Sequence, residues 1–274
     1  AGAAIGTASA NVLAAIVFLW IFASGRRDVK LRLGGKQFDL GIIKEIVRVA
    51  TPLAGTRLSR TFGRFPFLFV LSILGAEVVA AYAIGRRIIL LALMPAWGFS
   101  TASSTLVGQA IGAGDDEEAM SYGWQTLRIA VVTQLLIAVG IVIFASPIAS
   151  AFGTNTPSIT VSFIRLFGFT VAAFSVSRVM RGGLRGAGDT SWPFYGGIIG
   201  TYLIRLPLAF AALPVGTILP IVGIGVGLGW GIYGIFAAIA GDMYARALVN
   251  LVRFNSGKWK QIARKTTDGP ATGD

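Results

Sequence analysis

The chain has 274 residues, of which 54% are hydrophobic and only 13% charged, with a mean hydropathy of +0.73. Soluble domains carry about a quarter charged residues, so this chain lacks the groups that would cover a wet surface. Cys and His are both absent, which excludes disulfides, Cys/His metal centres, thiol nucleophiles and His general bases, so no cofactor and no metal site is predicted. The net charge of +12 would point to nucleic acid in a soluble protein. Here the basic residues flank apolar runs, so membrane topology accounts for them and no nucleic-acid partner is predicted.

Runs of about 20 apolar residues are long enough to span a bilayer, and seven are predicted in chain order: residues 3–23, 49–75, 78–108, 127–149, 159–180, 192–213 and 230–252. The first opens almost at the N-terminal Ala, without the basic start of a secretory signal, and the chain reads as a fragment. Residues 39–50 have a pattern of their own. Ile42, Ile43, Ile46, Val47 and Ala50 share one helical face, Lys44, Glu45 and Arg48 lie opposite, and Asp39 stands as a cap. This predicts a short helix lying in the membrane interface. Pro147 to Pro157, with Gly153, Thr154 and Asn155, reads as a loop, and so does the Gly- and Pro-rich segment 215–229. No segment alternates with a period of two, which argues against a β-barrel.

Loop charge sets the predicted orientation. Arg26, Arg27, Lys30, Arg32 and Lys36 follow the first run. Arg178, Arg181 and Arg185 mark the connection after the fifth, and Arg253, Lys258, Lys260, Arg264 and Lys265 follow the seventh. The alternate loops hold no Lys or Arg, so the positive-inside rule places the basic loops and the C-terminus in the cytoplasm, with the protein in the cell (plasma) membrane.

One eight-residue pattern occurs twice, as Gly108-Gln-Ala-Ile-Gly112-Ala-Gly114-Asp115 and as Gly182-Gly-Leu-Arg-Gly186-Ala-Gly188-Asp189. Each copy ends one apolar run and precedes another. Gly takes the left-handed geometry that closes a helix, and Asp caps the next one. Asp115 with Glu118 has the spacing of a capping box.

With Thr105-Leu-Val ahead of the first copy, Thr190 after the second and the closing Arg253-Phe-Asn-Ser-Gly-Lys-Trp259, these motifs resemble the multidrug and toxic compound extrusion (MATE) transporters. Pro52 and Ala80-Ala-Tyr-Ala-Ile84 match that family's second half as well. The resemblance implies an all-α polytopic membrane protein: the six-helix C-terminal lobe of a twelve-helix transporter, plus the helix before it. Residues 1–24 would then be the last helix of the N-terminal lobe, 25–50 a cytoplasmic linker with the interfacial helix, 51–254 the C-terminal lobe and 255–274 a cytoplasmic tail. Its implied activity is secondary-active efflux of organic cations and other amphiphiles in exchange for Na+ or H+. Membrane lipid, small amphiphilic substrates and the N-terminal lobe of the same polypeptide would be its partners. The wider superfamily includes flippases for lipid-linked sugars, an alternative that a basic cavity would suit. One branch of the family places coupling carboxylates in this lobe, at positions that here fall on Arg60 and on Phe174, next to Ser175. Neither is acidic, so the resemblance leaves the coupling ion to the other lobe.

The charges at membrane depth are mostly arginines. Arg57, Arg60 and Arg64 recur at i, i+3 and i+7 along one helix face. Arg64 lies roughly 22 Å along its helix from Val49, and Arg86 and Arg87 reach similar depth from the opposite side. Each costs on the order of 2.5–3.5 kcal/mol on insertion scales, so such residues face a cavity or a partner. Arg57, Arg60, Arg64, Arg86, Arg87, Tyr82 and Gln134 are therefore the candidate cavity residues, and Asp242 is read as pairing at i,i+4 with Arg246. Pro52, Pro95 and Pro207 are candidate hinges.

Overall fold

The computed structural model describes residues 2–24, 40–154, 156–217, 225 and 227–267. They divide into two compact units, Ala1–Arg48 and Val49–Asp274. In the first unit α1 (Gly2–Ser24) carries no charged residue, and Ser24 closes its last turn by donating to the Ile21 carbonyl at 2.8 Å.

Helix α2 (Leu40–Leu74) contains the unit boundary. Residues 40–50, read from the sequence as a short interfacial helix, are helical and form the first turns of α2. Asp39, the expected cap, and the basic residues from Arg26 to Lys36 lie outside the described residues. Pro52 and Pro66 both sit inside α2.

The second unit continues through α3 (Ala76–Ala92), α4 (Met94–Gly112), α5 (Asp116–Ile143), α6 (Ala145–Ala151), α7 (Pro157–Gly186) and α8 (Ser191–Ile198). A π-helical turn (Ile199–Arg205) then leads into α9 (Leu206–Ala211), followed by α10 (Gly231–Asn255) and α11 (Trp259–Thr267). All seven predicted runs are helical, but three of them are interrupted. The third is two helices bent by 45°, with Pro95 in the first turn of α4. The fourth starts eleven residues early and ends in α6, so the predicted loop from Pro147 shrinks to the few residues after Ala151. The sixth carries the π-helical turn immediately before Pro207. Among the described residues, four helical segments are long and apolar enough to cross a membrane, or five if the bent pair α3–α4 is one span. Of the seven predicted spans, α2 is long enough, but Arg57, Arg60 and Arg64 interrupt its apolar character, and the apolar stretch of α1 is shorter.

Helix α7 packs against α3, α4, α5, α6 and α10. Its small residues make this possible. A Cβ on Gly182 or Gly186 would collide with the α4 backbone at Ser100 or Ser104, and one on Gly85 of α3 would come within 2.9 Å of the Phe167 ring. Close backbone approach at small residues is how helices associate in lipid, where hydrophobic attraction between them is weak. Two apolar clusters result. One joins α2, α3, α5, α6, α7, α9 and α10 around Phe67, Phe163 and Phe167. The other joins α4, α5, α7, α10 and α11 around Phe254 and Trp259, whose rings stack 5.3 Å apart.

Candidate functional site

A cavity of about 250 Å³ opens among α2, α3, α4, α7, the π-helical turn and α10, all within the second unit. Its wall holds seven guanidinium groups, those of Arg60, Arg64, Arg86, Arg178, Arg181, Arg205 and Arg246, against one carboxylate, Asp242. The rest is largely apolar and aromatic, with Ile89, Leu90, Leu93, Trp97, Phe174 and Met243.

Asp242 and Arg246 lie near the middle of α10, one turn apart on the same face, and form the ion pair expected from their spacing. Arg246 also donates to Thr201 Oγ1 at 2.6 Å, which ties α10 to the π-helical turn. Arg205 reaches Asp242 at 3.7 Å, donates to Tyr82 Oη at 3.3 Å and lies 3.9 Å over the Phe67 ring. Arg86 approaches the same Tyr82 hydroxyl at 3.5 Å. Tyr82 is thus held by its ring against Phe67 and Phe163 and by its hydroxyl beneath two arginines. The wide π-helical turn brings both Thr201 and Arg205 into this network, in keeping with the frequent placement of such turns at functional sites.

Arg178 is fixed differently, with its guanidinium 4.9 Å from the Phe174 ring centroid and 5.8 Å from that of Trp97. Arg60, Arg64 and Arg181 have no ion-pair partner among the described residues. Arg60, Arg178, Arg181 and Arg246 are close enough for their like charges to interact. A monovalent cation held about 6 Å from one guanidinium would be raised by roughly 3 kcal/mol at an effective dielectric of about 20. Several such groups face a single carboxylate, so the wall as it stands attracts negative charge.

Of the residues singled out by sequence, Arg60, Arg64, Arg86 and Tyr82 line the cavity, whereas Arg57, Arg87 and Gln134 do not. Arg57 and Arg87 are exposed, as are Arg60 and Arg64 at the cavity mouth. Gln134 is fully buried and donates to the Ala92 carbonyl at 3.1 Å, satisfying backbone at the α3–α4 break. Arg178, inside the fifth predicted run, and Arg181, just beyond it, were read as marking the connection that follows; both belong to α7, because a charge count alone does not separate the last turns of a helix from the loop beyond. Their i,i+3 spacing is the signal that would have placed them on one helix face, beside Arg185.

The two Gly-Asp motifs form the same turn. Gly114 and Gly188 have φ of +82° and +77°. The following Asp amide bonds back to Ala110 O at 2.9 Å in the first copy and to Leu184 O at 2.8 Å in the second. This is the Schellman closure that left-handed Gly permits. The copies also touch, since a Cβ on Gly108 would lie 3.3 Å from the Gly186 carbonyl, while Gly112 faces open space. Their aspartates then diverge. Asp115 caps α5 by accepting from the amides of Glu117 and Glu118 at 3.1 and 2.8 Å. The reciprocal half of a capping box is absent: the Asp115 amide is already bonded to Ala110, and the Glu118 carboxylate accepts from Tyr122 at 2.7 Å. Asp189 is buried and pairs with Arg253 of α10 at 2.7 Å.

A family model, MatE, matches residues 52–211, more than half of the chain and most of the cavity wall. The chain belongs to the MatE family. The family assignment and the apolar helices make it a multi-pass membrane protein. A probable multidrug resistance protein NorM from Thermotoga maritima is 28% identical over 269 residues, covering 97% of this chain and 55% of the relative. The chain spans about half the length of such relatives. A crystal structure of MATE in complex with MaD5 superposes with a TM-score of 0.76 at 19% identity, over 93% of this chain and 53% of the other. A MOP superfamily transporter from Pyrococcus furiosus Vc1, described as having a binding pocket of reverse polarity, gives a TM-score of 0.70 at 18% identity, over 94% and 54%. These likenesses show that this MatE chain has the all-α transporter fold.

Proposed function

We propose that the complete protein is a secondary-active efflux transporter that moves small amphiphiles out of the cell in exchange for Na+ or H+. The observation that carries this reading is the cavity itself. Helices apolar enough to span a membrane, together with the arginine-bearing α2, bring seven guanidinium groups, a carboxylate and an aromatic wall to one recess about halfway along α10. Ionisable groups within spanning segments are costly and mark solute paths. In the proposed cycle this lobe moves against the N-terminal one, opening the recess to alternate sides of the membrane. The bend at Pro95 and the π-helical turn before Pro207 are the places where α3–α4 and α8–α9 would flex. Coupling is assigned to a carboxylate in the rest of the polypeptide. The protein is placed in the plasma membrane with its C-terminus in the cytoplasm, on the strength of its basic loops.

The test is efflux of ethidium and norfloxacin from cells carrying the full coding sequence, under an imposed Na+ or H+ gradient. Accumulation lower than in cells with the empty vector is expected, and its absence for every solute would overturn the reading. A second reading, translocation of a lipid-linked sugar, is favoured by the arginine-rich lining. It predicts that neither drug is exported while the lipid crosses the bilayer in vesicles.

A further inference from the structure

We infer that the cavity binds the anionic head of an amphiphile, carrying a phosphate or carboxylate group, on Arg60, Arg64 and Arg181. This rests on the transporter reading and names the charge class of its cargo. The seven guanidiniums fall into two sets. Arg205, Arg246 and Arg86 are engaged by Asp242, Thr201 and Tyr82, and Arg178 is stacked on Phe174 and Trp97. These four form a fixed wall whose only carboxylate is already shared by Arg205 and Arg246.

Arg60, Arg64 and Arg181 form no ion pair among the described residues, Arg60 feels the Asp242 carboxylate only at longer range, and Arg60 and Arg181 are near enough to feel each other's charge. Arg60 and Arg64 are exposed and Arg181 is half-buried, and like charges gathered along one wall are stabilised by a group of opposite sign. The planar fork of Arg matches a phosphate or carboxylate in bidentate fashion. Beside this set, Leu90, Leu93, Trp97 and Phe174 give an apolar and aromatic surface for the body of the ligand. An organic cation would meet the same surface with the opposite electrostatic sign.

The experiment uses the complete polypeptide in nanodiscs and compares 1-naphthyl phosphate with 1-naphthylmethylamine, which share a ring system but differ in charge, by equilibrium titration. The phosphate is expected to bind roughly tenfold or more tightly than the amine, and to weaken by a similar factor in the Arg60→Ala/Arg181→Ala variant. The Arg60→Lys/Arg181→Lys variant is expected to recover part of the loss, which a merely misfolded protein would not do. Equal binding of amine and phosphate by the wild type would overturn the inference, and that comparison needs no variant.

The source of the anion is read by replacing part of the phosphatidylcholine with phosphatidylglycerol. Competition by the anionic lipid assigns the site to a lipid head group, and undiminished phosphate binding assigns it to a soluble anion. Both results support the anionic site. Ethidium export without phosphate binding would overturn this inference and leave the exporter reading standing. Phosphate binding with no solute transport would do the reverse.

Discussion

Asp189 and Arg253 form a buried ion pair, 2.7 Å between Oδ2 and Nε, that ties the α7–α8 turn to the end of α10. The Asp189 side chain is wholly inaccessible, its other oxygen lies 3.5 Å from the Trp192 amide, and the Arg253 guanidinium sits 4.9 Å from the Trp192 ring centroid. The corresponding aspartate of the first motif, Asp115, is a helix cap and nothing more elaborate. One sequence pattern therefore carries two unequal loads.

That inequality is measurable. Removing one partner of a buried pair leaves an uncompensated charge and costs about 3–5 kcal/mol, whereas losing an N-cap costs about 1 kcal/mol. Asp189→Ala is expected to lower the thermal midpoint of the purified protein several times more than Asp115→Ala. A double-mutant cycle with Arg253→Ala should return a coupling energy well above any found between Asp115 and Arg253.

The motif glycines divide in the same way. Gly186→Ala drives a methyl group into the α4 backbone at Ser104 and is expected to destabilise by about 1–3 kcal/mol, or to rearrange the α4–α7 contact. Gly112→Ala enters open space and should be neutral or mildly stabilising, by less than about 1 kcal/mol. Detergent-resistant thermal unfolding of the two variants side by side checks this.

Gln134 was a cavity candidate by sequence and is a packing residue by structure. Gln134→Leu is expected to cost about 0.6 kcal/mol and at most about 1.7 kcal/mol, the average and upper value for hydrogen bonds between membrane helices, without altering ligand affinity. A titration showing a changed affinity at unchanged stability would put Gln134 back into the binding site.

Tyr82 separates the ring contribution from that of the hydroxyl. In Tyr82→Phe the contacts with Phe67, Phe163 and Phe167 persist, while Arg205 and Arg86 lose a shared acceptor. The expected result is a stability change below about 1.5 kcal/mol with a several-fold change in cargo affinity, read by titration and thermal unfolding of the same preparation.

What was legible from sequence follows from the physics of each signal. The apolar runs had to be helices, because lipid leaves no partner for an unpaired backbone group. The Gly-Asp turns were legible because left-handed Gly and a capping Asp act within a few residues. The arginine stripe of α2 gave one wall of the cavity through its helical period, and Asp242–Arg246 was legible as a neighbouring pair on one helix. Other features were not local. The π-helical turn has no residue signature in Ile199–Arg205. The break at Leu93 was marked only by Pro95. The role of Arg178 and Arg181 depended on where α7 ends, which a charge count placed a few residues too early. Gln134 showed as a polar residue in an apolar run, and only tertiary packing reveals that its partner is the Ala92 carbonyl.

The measurement that bears most directly on the account is transport by the complete polypeptide in proteoliposomes loaded with 1-naphthyl phosphate or with ethidium, under an imposed Na+ or H+ gradient. The account predicts gradient-dependent movement of 1-naphthyl phosphate, slowed roughly tenfold or more when Arg60 and Arg181 are both replaced by Ala. No movement of the phosphate, or equal rates in the wild type and the double variant, would contradict it.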